Sequence, residues 1–103
     1  MLQEQEQMPK AYWVARVNIK NPDIYRFYME AAPSVLRKHT GRILARGDKA
    51  EQLEGQEYHR HVIVEFDSMQ DALDCYNSPE YQTAREFRNG IADVETVIIE
   101  GVD

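Results

Sequence analysis

Cysteine is almost missing from this chain: Cys75 is the only one in 103 residues. A lone thiol cannot close an intrachain disulfide, so a disulfide-stapled miniprotein is excluded, and an unpaired cysteine fits a reducing cytoplasm. Proline and glycine are sparse too, at four and five, which excludes collagen and Pro/Gly-rich low-complexity chains. No apolar run approaches the roughly 20 residues a membrane span needs. The opening MLQEQEQMPK has neither the basic start nor the apolar centre of a signal peptide. Cations are outnumbered, with 12 Lys and Arg against 18 Asp and Glu, for a net charge of −6. Binding a phosphate backbone needs a clustered positive field. The expectation is a cytoplasmic protein with no nucleic-acid and no membrane partner.

What is present suffices for one core. The chain is 43% hydrophobic and 29% charged, an ordinary globular balance for about one domain. Residues 1–9 read as a flexible N-terminal tail bounded by Pro9, and 10–103 as a single domain. Residues 11–18, AYWVARVN, carry the aromatic and β-branched types of a strand. Trp13, Ala15 and Val17 share one face; Tyr12, Val14 and Arg16 share the other. Asn21-Pro22-Asp23 then reads as a helix start, with a cap, a first-turn proline and an acid on the dipole. Ile24, Phe27, Tyr28, Ala31 and Val35 recur at helical spacing, widened by Tyr25, Ala32 and Leu36. Pro33 predicts a kink or break, and Gly41 a helix end.

Residues 42–46 read as a second strand, with a short extension around 52–54. RHVIVEF at 60–66 is the clearest strand: Val62, Val64 and Phe66 lie on one face, His61, Ile63 and Glu65 on the other. Ser68 caps a helix whose stripe is Met69, Ala72, Leu73 and Tyr76, with Asp71 in a capping-box position. Ser78-Pro79 starts another, with Tyr81, Ala84, Phe87 and Arg88 inward. Residues 94–100 close the series. The order β-α-β-β-α-β, second helix split, is the α+β ferredoxin-like arrangement: a four-stranded antiparallel sheet, β1 and β3 central, with helices on one face. The helix-free face of such a sheet should be polar. Parity instead gives it Tyr12, Val14, Leu44, Ile63 and Ile98, which predicts a homodimer packed sheet to sheet.

Several runs carry a family resemblance: Leu44-Ala45-Arg46-Gly47, Val64-Glu65-Phe66-Asp67-Ser68 and Tyr76-Asn77-Ser78-Pro79-Glu80-Tyr81, with Ile99-Glu100-Gly101-Val102 near the end. Over residues 10–103 the chain resembles the family labelled Domain of Unknown Function 1330, of the dimeric α/β-barrel superfamily. Gly41-Arg42 stands where the family commonly has Gly-Gly, and Arg46-Gly47-Asp48 where it commonly has Arg-Gly-Gly. The resemblance implies the fold and the dimer but no activity. Its superfamily includes cofactor-free monooxygenases, lactone isomerases and haem enzymes, so the fold alone does not fix the chemistry.

No compact catalytic constellation stands out. His59 and His61 share a strand face but lack a third ligand, so no metal is expected. No flavin, nicotinamide, phosphate-loop or haem motif occurs, so no cofactor is expected. Cys75, near Asp71 and Asp74, is a poor thiolate. Arg16, Arg46, Glu65 and Glu100 are assigned by parity to the helix-free face, as interface ion pairs or as a polar floor for a small anion. The candidate ligand-binding residues are Arg46 as a carboxylate clamp, His39 at the first helix end, and Tyr28, Tyr76 and Tyr81 as walls. Three functions follow: small-molecule binding in a cleft between sheet and helices, cofactor-independent catalysis there, or a non-catalytic partner-binding dimer.

Overall fold

The computed structural model describes residues 9–102. The expected tail at 1–9 therefore lies outside it except for Pro9, as does Asp103. The elements are β1 (Ala11–Ile19), α1 (Pro22–Lys38), β2 (Arg42–Gly47), β3 (Arg60–Phe66), α2 (Met69–Asn77), α3 (Pro79–Glu86) and β4 (Ala92–Glu100). The sheet runs β2-β3-β1-β4, all antiparallel. This is the α+β ferredoxin-like βαββαβ fold, with β1 and β3 central. No helix among the described residues is long and apolar enough to cross a membrane. Residues 52–54, expected to extend the sheet, form no strand.

Local chemistry sets the helix boundaries. Asn21 accepts a hydrogen bond from the Ile24 amide at 3.2 Å and opens α1. The helix runs through Pro33 unbroken, so the expected break into two helical pieces does not occur. Its end is built by two residues rather than by Gly41 alone. Thr40 takes the left-handed conformation, φ 70°. The Gly41 amide then reaches back to the Leu36 carbonyl at 2.8 Å and the Thr40 amide to Arg37 at 3.3 Å, the paired bonds of a Schellman end. Gly41 serves close approach: a Cβ there would sit 2.7 Å from the Leu36 carbonyl oxygen and 3.0 Å from Phe66. A β-branched residue at positive φ is strained. The Thr40 hydroxyl holds it, donating to Asp71 at 2.9 Å and accepting from the Asp67 amide at 3.0 Å. Asp71 is thus spent on Thr40. Ser68 caps α2 through the Asp71 amide at 3.1 Å.

Trp13 is the centre of the core, with ring centroids 5.9 Å from Phe66, 5.7 Å from Tyr76 and 5.0 Å from Tyr81. The α1 stripe is rotated from the expected one. Tyr25, Ala32, Val35 and Leu36 are buried, while Ile24 and Phe27 are exposed. Ala32 is on the buried side of the helix, and Phe27 instead stacks on exposed Phe87, 5.7 Å away. Cys75 takes the buried place expected for Leu73 in α2.

The two sheet faces divide cleanly. Toward the helices lie Trp13, Ala15 and Val17, with Val62, Val64 and Phe66. Ile98, opposite Trp13, packs against this core and leaves the helix-free face to Val97 and Ile99. Glu100, opposite Ala11, also changes face by the same register. The largest correction is in β2. Ile43 pairs with Val64, but Ala45 pairs with Ile63, so Leu44 is the extra residue of a β-bulge. From there on the parity is inverted, and Arg46, opposite Val62, belongs to the helix side.

Candidate functional site

Between α1 and the sheet lies a cavity of about 460 Å³. The space exists because its centre is lined by small residues: Ala15 on the floor and Ala32 on the roof. Cross-strand register lays out the floor in rows. Ile43, Val64 and Trp13 form an apolar row, and Arg46, Val62, Ala15 and Thr96 the next. Arg60 and Val94, both opposite Val17, end the floor. The helix α1 runs back over these rows, Leu36 over the apolar end and Tyr25 over the other. Arg88, just past α3, closes the wall.

The polar groups are concentrated at the Tyr25 end. Arg88 is buried, its guanidinium 5.1 Å from the Tyr28 ring centroid, and one nitrogen donates to the Tyr81 hydroxyl at 3.3 Å. The Tyr28 and Tyr81 hydroxyls share a hydrogen bond of 2.6 Å. Burial, reinforced by Tyr81, holds the Tyr28 phenol well above its ordinary range, so it stays a neutral hydrogen-bonding group. Burial likewise raises Tyr25, against the opposing pull of the Arg60 and Arg88 charges beside it. Among the described residues, the Nε atoms of Arg60 and Arg88 are buried without a hydrogen-bond partner. Buried donors without partners are uncommon in folded proteins and call for an explanation.

Of the five residues singled out in the sequence, the structure brings Tyr28 and Arg46 to the cavity lining. Tyr81 and Tyr76 stand behind it, their rings 5.4 Å apart, with Tyr81 bracing Tyr28. His39 sits at the C-terminal end of α1, where its Nδ1 donates to the Val35 carbonyl at 3.0 Å, away from the cavity. Arg60 and Tyr25 were missed as site residues, and Arg88 was read only as inward-facing. Arg60 left a signal: it continues the alternation of Val62, Val64 and Phe66, a charge at a core-parity position.

On the helix-free face Ala45, Ile63, Val14 and Val97 make an apolar row across all four strands. Tyr12 and Ile99 extend it toward Glu65 and Arg42. Glu65 is met by Tyr12 at 2.9 Å and by Arg42 Nε at 3.2 Å. The Arg42 and Tyr12 hydrogen bonds hold its carboxyl below the ordinary range. Arg16 pairs with Glu95 and lies 4.6 Å from the Tyr58 ring centroid. The charges of this face are therefore satisfied within one chain. His61 contacts the Tyr58 carbonyl at 3.0 Å.

The fold and cavity define a ferredoxin-like domain with a roofed space between helix and sheet. The chain belongs to the family described as Domain of unknown function (DUF1330), whose model matches residues 10–102. Among solved structures it is similar to RPA0582, a protein of unknown function from Rhodopseudomonas palustris. The TM-score is 0.74 at 16% identity, over 92% of this chain and 84% of that one. A dimeric ferredoxin-like protein of unknown function from Bacteroides fragilis matches with TM-score 0.62 and 14% identity, over 89% and 96%. SnoaB, a cofactor-independent oxygenase from Streptomyces nogalater, matches with TM-score 0.63 and 8% identity, over 92% and 95%. No curated protein sequence matches the chain. At these identities the structural likenesses establish the fold.

Proposed function

We propose that this domain binds a small molecule in the cavity between α1 and the sheet, as a homodimer joined through the helix-free face. The observation that carries the reading is a roofed cavity of about 460 Å³ with apolar walls and three arginines, Arg46, Arg60 and Arg88, in its lining. That volume is in the range of small-molecule sites, which combine apolar walls with a few convergent polar groups. In this reading Tyr28 and Arg46 touch the ligand, Tyr81 and Tyr76 brace Tyr28, and His39 has a capping role only. A reducing cytoplasm is the compartment that suits buried, unpaired Cys75.

Binding is better supported than catalysis. SnoaB shows that this fold accommodates a cofactor-independent oxygenase. Here, however, the cavity lining contains no histidine, and its one carboxylate, Glu30, pairs with Arg26 at 3.8 Å. A partner-binding module without a ligand would be expected to fill its core instead.

The test is to fill the space. Ala32→Leu puts three more carbons into the cavity, worth up to about 2 kcal/mol of stability before side-chain ordering. Thermal shift against a broad panel of small organic molecules should give responses on the wild type that disappear in Ala32→Leu. Equal responses in both proteins would refute the cavity as the site.

A further inference from the structure

We infer that the cavity's ligand is a small organic acid, its carboxylate held at the arginine end and its apolar body under the Ala32–Leu36 part of α1. The inference rests on the binding reading above and adds the ligand's chemical class and orientation.

The cavity is polar at one end only. Arg46 lies opposite Val62 on the floor, and Arg60 is two residues along the same strand as Val62. The two are therefore diagonal neighbours on one sheet face, a separation of roughly 7–8 Å at the backbone. Arg88 faces them from the wall, and the Tyr25 hydroxyl feels both Arg60 and Arg88. None of these three arginines has a carboxylate within salt-bridge distance among the described residues, as is true also of Arg37 and Arg85, whereas Arg16 and Arg26 each pair with one and Arg42 with two.

Neighbouring guanidiniums repel one another, and burying one, as at Arg88, without counter-charge is costly. An anion entering between them relieves both costs. A carboxylate suits the guanidinium fork, which donates two parallel hydrogen bonds to a planar pair of oxygens. Arg60 and buried Arg88 line the same space as Arg46. Beyond Val62 and Ala15 the lining turns apolar, with Trp13, Val64, Ile43 and Leu36. A head-only anion would leave that end empty, so the ligand carries an apolar body.

The experiment is calorimetric binding of straight-chain and aromatic carboxylic acids, each paired with its own primary amide and with the phosphate monoester of matching body. The expected result is binding of acids at least about tenfold tighter than amides, with the advantage of acid over amide lost in Arg46→Met and in Arg60→Met. Arg46 is exposed on an edge strand, so its removal leaves the fold intact. Amides binding as tightly as acids would overturn the acid assignment while leaving the binding reading in place. Phosphate esters binding tighter than the acids would overturn the carboxylate choice. No binding by any of these ligands would overturn the inference and count against the cavity as a binding site as well.

Discussion

The dimer can be tested at a single position. Val97 and Ile99 are each 58% exposed and Leu44 55% on the helix-free face of the isolated chain. Fully burying such a side chain is worth about 1.5–3 kcal/mol, so covering the exposed half recovers about 1 kcal/mol each. A two-fold interface counts every residue twice, which brings these three positions to about 6 kcal/mol. Val97→Asp removes two of those contributions and places two unpaired carboxylates in the interface, each costing several kcal/mol. The combined loss of about 6 kcal/mol or more corresponds to roughly four decades in the dissociation constant. Light scattering after size exclusion should give twice the chain mass for the wild type at micromolar concentration, and one chain mass for Val97→Asp. The substituted side chain points away from the helix-side core, so the thermal melt of the variant should stay cooperative. A wild type that is already monomeric, or a Val97→Asp protein that stays dimeric, would refute the reasoning.

Two further outcomes follow from the core. Gly41→Ala forces a methyl against the Leu36 carbonyl and Phe66; it should cost about 2 kcal/mol, or roughly 10 °C in Tm by circular dichroism, and an unchanged Tm would contradict the close-approach account. Burial, with the Glu80 charge adding, pushes the Cys75 thiol up to about 12 from an ordinary 9.0. The unfolded thiol ionises first, so the stability that Cys75 contributes is complete below pH 9.0 and is lost as pH rises toward 12. The difference in urea midpoint between wild type and Cys75→Ala should therefore shrink steadily above pH 9.0, and a constant difference would count against the shift.

The strand order, the caps at Asn21, Ser68 and Ser78 and the inward face of β1 were all legible, because each rests on short-range chemistry or strict two-residue alternation. Helix faces were harder. Ile24–Phe27–Ala31 and Tyr25–Tyr28–Ala32 satisfy the same spacing, and the choice between them is made by tertiary packing. The end of α1 was misread for a similar reason. Glycine at 41 marks a helix end, but the left-handed residue is Thr40, whose hydroxyl Asp71 and the Asp67 amide, far along the chain, hold. Ile98 was assigned to the wrong face although Val97, Ile98 and Ile99 are consecutive; three apolar neighbours carry no alternation from which to read a side.

Arg46 shows how one local irregularity reorganises a functional reading. Strict alternation from Leu44 put Arg46 on the helix-free face, among expected interface charges. That assignment left its role as a ligand clamp dependent on reaching around the sheet edge. The bulge at Leu44 removes the conflict: one unpaired residue stays on the outer surface, and every later residue of β2 changes sides. A single edge strand thereby presents Leu44 and Ala45 outward and Ile43 and Arg46 toward the cavity. Without the extra residue, Arg46 would join Arg16 and Arg42 on the outer face, and the cavity floor would keep only Arg60. The cationic end of the cavity is in this sense made by backbone register as much as by side-chain identity, and the two faces of β2 are set by the same bulge.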